Sequence, residues 1–185
     1  MKSITSKTLL DFALVPSRKV FMMNKYHMRR KELAMKSRKS MIGLIMRQSW
    51  MAVAMCRKGE PYLVTVDYAF DKKNGSFYFH CSPAGKKNDY IVANPSVWGE
   101  VVEDLGYIKG ECEHAYRSVM FRGRAEFVTD TSEKKRALGL MVDKVEENPR
   151  KEKKRLINQG SMEKVSVVRI KVLELSGKES LPKKA

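Results

Sequence analysis

Cysteine is scarce in this chain: Cys56, Cys81 and Cys112 are the three present in 185 residues. No two of them form a CxxC pair, and an odd number cannot all pair within one chain. The pattern excludes a disulfide scaffold and points to free thiols in a reducing compartment, so the expected location is cytoplasmic. Long apolar runs are lacking too. Asp11 interrupts Leu9–Val15, the most apolar stretch near the N-terminus, and neither a secretory leader nor a membrane span is expected. Glycine patterns that cradle nucleotides are also missing. Gly85-Lys86 is followed by Lys87 rather than Ser or Thr, without the upstream glycine of a Walker loop, and no Rossmann fingerprint follows a strand. There is no GxSxG elbow, and no cysteine sits in a catalytic context. Cys112-Glu113-His114 groups three ligand types, but neighbours in an extended segment face opposite ways, so no metal site is assigned.

An excess of either charge is missing from the middle of the chain. The net charge is +16, yet residues 41–149 hold fifteen basic and fifteen acidic side chains. Residues 1–40 hold eleven basic against two acidic groups, and residues 150–185 eleven against four. A folded nucleic-acid binder carries a basic face of its own. Here the basicity lies in the flanks, which argues against a nucleic-acid partner.

What is present fits one ordinary domain, with 43% hydrophobic and 31% charged residues. Residues 1–27 read as a basic extension, 28–175 as a single domain and 176–185 as a polar tail. Met41, Leu44, Ile45 and Gln48 mark one face of a helix within Lys36–Gln48. Trp50–Cys56 reads as a strand followed by a turn at Arg57–Pro61. Tyr62–Phe70 and Ser76–Cys81 alternate as two half-buried strands, and Asn74-Gly75 between them is a strong hairpin signal. Lys87–Ala93 is a short helix stopped by Asn94-Pro95. Val97–Glu103 is a strand, Asp104–Gly110 a loop, and Glu111–Asp130 a strand pair or one bent strand with a bulge at Gly123. A helix opens at Thr131 or Ser132 and places Ala137, Leu138, Met141, Val142 and Val145 on one face. Lys151–Arg155 reads as a solvated charge run, and Val165–Leu175 alternates as the closing strand. Short turns between alternating strands predict a mainly β, antiparallel barrel, closed or partly closed, with peripheral helices.

The candidate site follows from Pro61–Pro95. Ser82-Pro83-Ala84-Gly85 breaks a strand, and Lys86 and Lys87 stand where a helix begins. Free backbone N–H groups and the positive end of the helix dipole meet there, so an anion, most simply a phosphate, fits between them. His80 ends the strand that feeds this loop, within reach of a ligand held by the lysines.

These residues carry a resemblance. MRRKEL at Met28, GEPYLVTVDYAF at Gly59, FHCSPAGKKNDYI at Phe79, NPSVWGEV at Asn94 and YRSVMFRGRAEFVTDTSEKKRAL at Tyr116 occur together and in order. The combination resembles the FMN-binding split β-barrel family that includes the pyridoxamine 5′-phosphate oxidases, and most nearly its 5-nitroimidazole-resistance-type branch. The resemblance implies a homodimer with FMN in clefts at the subunit interface. Tyr62, Leu63, Val64, Thr65, Val66 and Asp67 would line the ring and ribityl chain, largely through backbone groups. His80 and Cys81 would contact the cofactor, Lys86 and Lys87 would hold its phosphate, and Ser118 would contact it from the other subunit. His80 is the candidate substrate contact; the resemblance supplies no protein nucleophile or general base. Electrons would come from NADH or NADPH and pass to a small acceptor, with nitroaromatics as candidates. Both tryptophans, Trp50 and Trp98, lie early, and VSVVRIKVLEL is followed by a polar tail rather than a segment bearing tryptophan and arginine, which argues against vitamin B6 oxidation. Relatives that bind haem or a deazaflavin, and carriers without turnover, share the fold.

Overall fold

The computed structural model describes residues 28–182; the expected extension over 1–27 lies outside them. A helix α1 (Arg38–Arg47), capped by the Ser37 hydroxyl, leads into β1 (Trp50–Arg57) and β2 (Glu60–Asp67). Lys58 and Gly59 between the two strands both have positive φ, as a two-residue type I′ hairpin requires. Then come β3 (Ala69–Asp71), β4 (Ser76–Cys81), α2 (Lys86–Ala93), β5 (Ser96–Ile108) and β6 (Glu113–Phe127). Helices α3 (Thr131–Val145), α4 (Pro149–Leu156) and α5 (Gln159–Glu163) precede the closing β7 (Ser166–Ser180).

All seven strands form one sheet in the order β2-β1-β5-β6-β7-β4-β3, antiparallel at every pairing. Its two edges are β2 and β3, which are consecutive in the chain and separated only by Tyr68. One residue cannot span a flat seven-stranded sheet, so the sheet must roll until its edges meet. The result is a split barrel whose seam is not hydrogen-bonded into a ladder. Tyr68 pins the crossing: it is buried, its hydroxyl donates to the Ile45 carbonyl at 2.7 Å, and its ring meets Phe77 edge-on.

The barrel interior takes the inward residues of each strand, among them Val53, Val66, Phe77, Val97, Val119 and Ile170, with Leu44 and Ile45 of α1 packed against them. Phe121 stacks on Phe77 at 4.3 Å and lies over Gly99, where an added Cβ would fall 2.1 Å from its ring carbon Cζ. Helix α3 is held outside the barrel by a polar cluster. Tyr78 donates to Glu133 at 2.7 Å, Arg169 donates to Glu133 at 2.7 Å, and Arg136 pairs with Asp71.

Several sequence expectations shift. The expected strand Tyr62–Phe70 divides at Tyr68: its first part pairs with β1, and only Ala69–Asp71 forms the hairpin with β4 through the Asn74-Gly75 turn. β5 runs into the expected Asp104–Gly110 loop as far as Ile108, because Gly106 takes a positive φ and donates to Asp104 Oδ1, so the ladder resumes at Tyr107 after a bulge. Glu113–Phe127 is one strand, and its register with β7 slips at Gly123, where a Cβ would meet Ile170 at 2.5 Å. The cap of α3 is Asp130, not Thr131 or Ser132; its carboxylate accepts from Glu133 N at 2.7 Å. β7 continues through the first half of the expected polar tail to Ser180, since Gly177 lets Met35 and Met41 pack directly on the strand.

Candidate functional site

Gly85 sets the first part of the site. Its φ of +133° suits only glycine, and it turns the chain from β4 into α2 without supplying a side-chain cap. Its carbonyl accepts from the amides of Asn88 and Asp89. Asn88 ties the loop below by donating to the carbonyls of Ser82 and Pro83 at 3.1 and 2.8 Å. The first amides of α2, those of Lys86 and Lys87, therefore project from a rigid, uncapped helix start. Lys86 lies over the ring of Tyr62 at 4.8 Å and reaches Glu60 at 3.4 Å. Both members of that ion pair are more than half exposed, so it is weak and readily exchanged for another anion. Lys87 is half-buried beside Cys81.

β2 runs from this lysine pair to the far end of the seam. As an edge strand it keeps one row of N–H and C=O groups unpaired. Of the expected lining residues, Leu63, Thr65 and Asp67 face outward and are exposed, whereas Tyr62, Val64 and Val66 face the core. On β4, His80 is exposed while Cys81 is buried. Burial raises the Cys81 thiol pKa, against the pull of Lys87. Alternation along the strand thus presents His80 outward and withdraws Cys81 into the core. Ser118 is nearly buried on β6, opposite Val102 of β5 and Lys178 of β7. Three strand spacings, roughly 14 Å along the sheet, separate it from β2, so one chain does not bring Ser118 to the lysines.

At the other end of β2 lies a cavity of about 650 Å³. Asp67, Tyr68, His80 and Trp50 form its wall on the barrel side. Leu138, Met141, Val142 and Val145 of α3 and Leu156 and Ile157 of the α4–α5 region close it from outside. The apolar face of α3 was legible in the sequence, but Leu156-Ile157, at the end of a charge run, was not singled out, and neither was Glu146. Among the described residues no His, Cys, Asp and Glu cluster could hold a metal.

An edge strand, an uncapped helix start with two lysines and an adjoining ring-sized cavity lie along one open seam. Over residues 37–179 the sequence matches the family described as pyridoxamine 5′-phosphate oxidase. The chain belongs to that family. Among solved structures, its fold is similar to a protein described as a 5-nitroimidazole antibiotic resistance protein from Bacteroides thetaiotaomicron. The TM-score is 0.63 at 22% identity, covering 79% of this chain and 86% of that one. It is similar also to a flavocytochrome from Azotobacter vinelandii, with TM-score 0.70, 20% identity, and coverage of 84% and 73%. A FAD-binding protein from Mesorhizobium loti gives TM-score 0.56 at 24% identity, covering 78% of this chain and 96% of that one. At these identities the likeness establishes the fold. No curated protein matches the sequence. No helix among the described residues is long and apolar enough to cross a membrane.

The split-barrel architecture leaves β2 paired with β1 on one side and without a ladder partner on the other, which is the open seam. Of the residues the sequence grouped, Lys86 and Lys87 stand at the start of α2, while Asp67 and His80 share the wall of the cavity at the far end of β2. Cys81, which the resemblance placed beside His80, is buried on the opposite side of β4.

Proposed function

We propose that this protein is a flavin-binding redox protein that holds FMN along the seam and passes its electrons to a small acceptor. The observation that carries the reading is the uncapped start of α2, where two lysines and two free amides converge beside an unpaired edge strand. The residues fit the group. Lys86 and Lys87 would take the phosphate as paired charges with the helix amides. The free backbone groups of β2 would meet the ribityl chain and ring edge, and Asp67 and His80 stand where the ring would end. The flavin supplies the electron transfer, and the protein supplies binding, orientation and exclusion of water. The neighbours described as flavocytochrome and FAD-binding protein are both named for a flavin, which supports a flavin here.

A homodimer belongs to the same proposal. The outward face of β2, β1, β5 and β6 exposes Leu63, Trp50, Trp98, Val102 and Met120, an apolar set of a kind monomers rarely leave open. Ser118 sits on that same face. A two-fold contact there would bring it toward the partner's cofactor, which a single chain cannot do.

The test is spectroscopic. Purified protein should be yellow, and the cofactor released on denaturation should have the mass of FMN. Replacing Lys86 and Lys87 with Ala should weaken FMN binding by at least about a hundredfold, since each charge-assisted contact is worth about 1.5–3 kcal/mol. Stopped-flow reduction by NADH or NADPH, followed by reoxidation with candidate acceptors including nitroaromatics, separates an oxidoreductase from a carrier. Colourless protein that fails to take up added FMN would overturn the reading.

A further inference from the structure

The cavity at the Asp67 end of the seam carries a charge signature as well as a shape. Its lining is mostly apolar, with Leu138, Met141, Val142 and Ile157 facing the rings of Trp50 and Tyr68. Two carboxylates, Asp67 and Glu146, open onto it, and among the described residues no lysine or arginine does. Lys144 is the base to account for. Its ammonium sits over the Tyr68 ring at 3.5 Å and feels the charge of Asp67. It lines a separate cavity with Met46 and Phe70, so it balances Asp67 from behind the ring and leaves Glu146 on this side. His80 and the phenol of Tyr68 are the remaining titratable groups on the wall, and burial raises the Tyr68 pKa.

We propose that this cavity is a binding site for a compact aromatic ring that is cationic or uncharged, and that it excludes anions. Three features act together. An apolar slot of this volume accepts one or two fused rings. Trp50, lining the cavity and largely exposed, offers an indole ring to a cation. Two carboxylates in a partly desolvated recess repel an anion and attract a cation or an N–H donor. As the place of the electron acceptor, the site rests on the flavin reading; its charge preference does not. The same signature disfavours a dianionic porphyrin and a phosphorylated substrate here, because neither would find a cationic partner.

The experiment uses three probes of one shape and different charge: benzamidine, benzamide and benzoate. Each is titrated calorimetrically into the full-length protein, first as purified and then saturated with FMN. Benzamidine should bind tightest and benzoate weakest, with at least about a tenfold spread from the two carboxylates. Asp67→Asn combined with Glu146→Gln should bring the three affinities within about threefold of one another, while benzamide is little changed. Val145→Trp, at a position 63% exposed and therefore tolerant of a larger side chain, should block all three. Equal or tighter binding of benzoate would overturn the inference, as would an unchanged order in the double variant or binding unaffected by Val145→Trp. Failure to bind FMN, with the charge order intact, would overturn the flavin reading and leave this one standing.

Discussion

Lys144 offers a sharp test of the packing between α3 and the barrel. Its Nζ is buried without a hydrogen-bond partner and rests 3.5 Å above the centre of the Tyr68 ring. Burial lowers its pKa to about 8, against a smaller upward pull from Asp67. An unfolded lysine titrates near 10.4, and every tenfold loss of proton affinity is worth about 1.4 kcal/mol, so the charged form costs up to ~3 kcal/mol in the folded state. The ring returns about 1–2 kcal/mol through the cation–π contact, and the side chain is only partly shielded from water, so the net penalty near pH 7 is about 1 kcal/mol. The sign follows from proton counting. Between pH 8 and 10.5 the unfolded chain keeps this proton and the folded chain sheds it, so the penalty fades as pH rises. Lys144→Met keeps the stem and removes the charge, as do replacements of buried ions by apolar side chains that often stabilise a protein. Urea unfolding should show Lys144→Met more stable than the parent by about 1 kcal/mol at pH 7, with the gain shrinking toward zero near pH 10. A variant less stable than the parent at pH 7, or a gain independent of pH, would refute the account and mean that the ring contact outweighs desolvation.

Three further outcomes follow from the geometry. Gly99→Ala forces its Cβ into Phe121, which cannot retreat because it is stacked on Phe77; overpacking of this kind should cost about 1–3 kcal/mol, read as a lower thermal midpoint by circular dichroism. Glu60→Gln frees Lys86 from its competing carboxylate, so inorganic phosphate and FMN should bind about two- to fivefold more tightly, and weaker binding would show that Glu60 positions the lysine rather than competing with the ligand. Asp130→Ala removes the cap of α3 and should destabilise the fold by about 1 kcal/mol, with Asp130→Asn restoring most of it.

Strand identity and turn chemistry were legible because they are local. Asn74-Gly75 announced its hairpin, and Gly75 does take a positive φ. The alternation in VSVVRIKVLEL and the glycine at 123 marked a strand and an irregularity that the sheet contains. Pairing was not legible, since period-2 alternation says which face a residue takes and nothing about which strand lies beside it. Tyr62–Phe70 alternates without interruption, yet β2 zips onto β1 and the strand breaks at Tyr68, whose side chain stays buried in phase and donates to a carbonyl of α1. The same limit applies to the site. Gly85-Lys86-Lys87 is contiguous and could be read directly, whereas the cavity joins Asp67, His80, Glu146 and Ile157, which lie far apart in the chain. His80 and Cys81 are neighbours in sequence but take opposite sides of β4, since a strand reverses the facing side at every step.

Charge along the seam bears on how the proposed flavin would lie. At one end stand Lys86, Lys87 and the helix amides; at the other stand Asp67 and, across the cavity, Glu146. From Tyr62 to Asp67 the strand rises about 17 Å, at about 3.3 Å per residue, enough for an extended chain between a phosphate and a ring system. A phosphate placed at the acidic end would face two carboxylates with no lysine or arginine among the described residues beside it, and a neutral ring at the basic end would leave Lys87 and the uncapped helix amides without an anion. Only one orientation satisfies both ends, with the phosphate at α2 and the ring toward His80. The acidic cavity then borders the ring rather than the phosphate, where it can discriminate among acceptors by charge without competing for the cofactor.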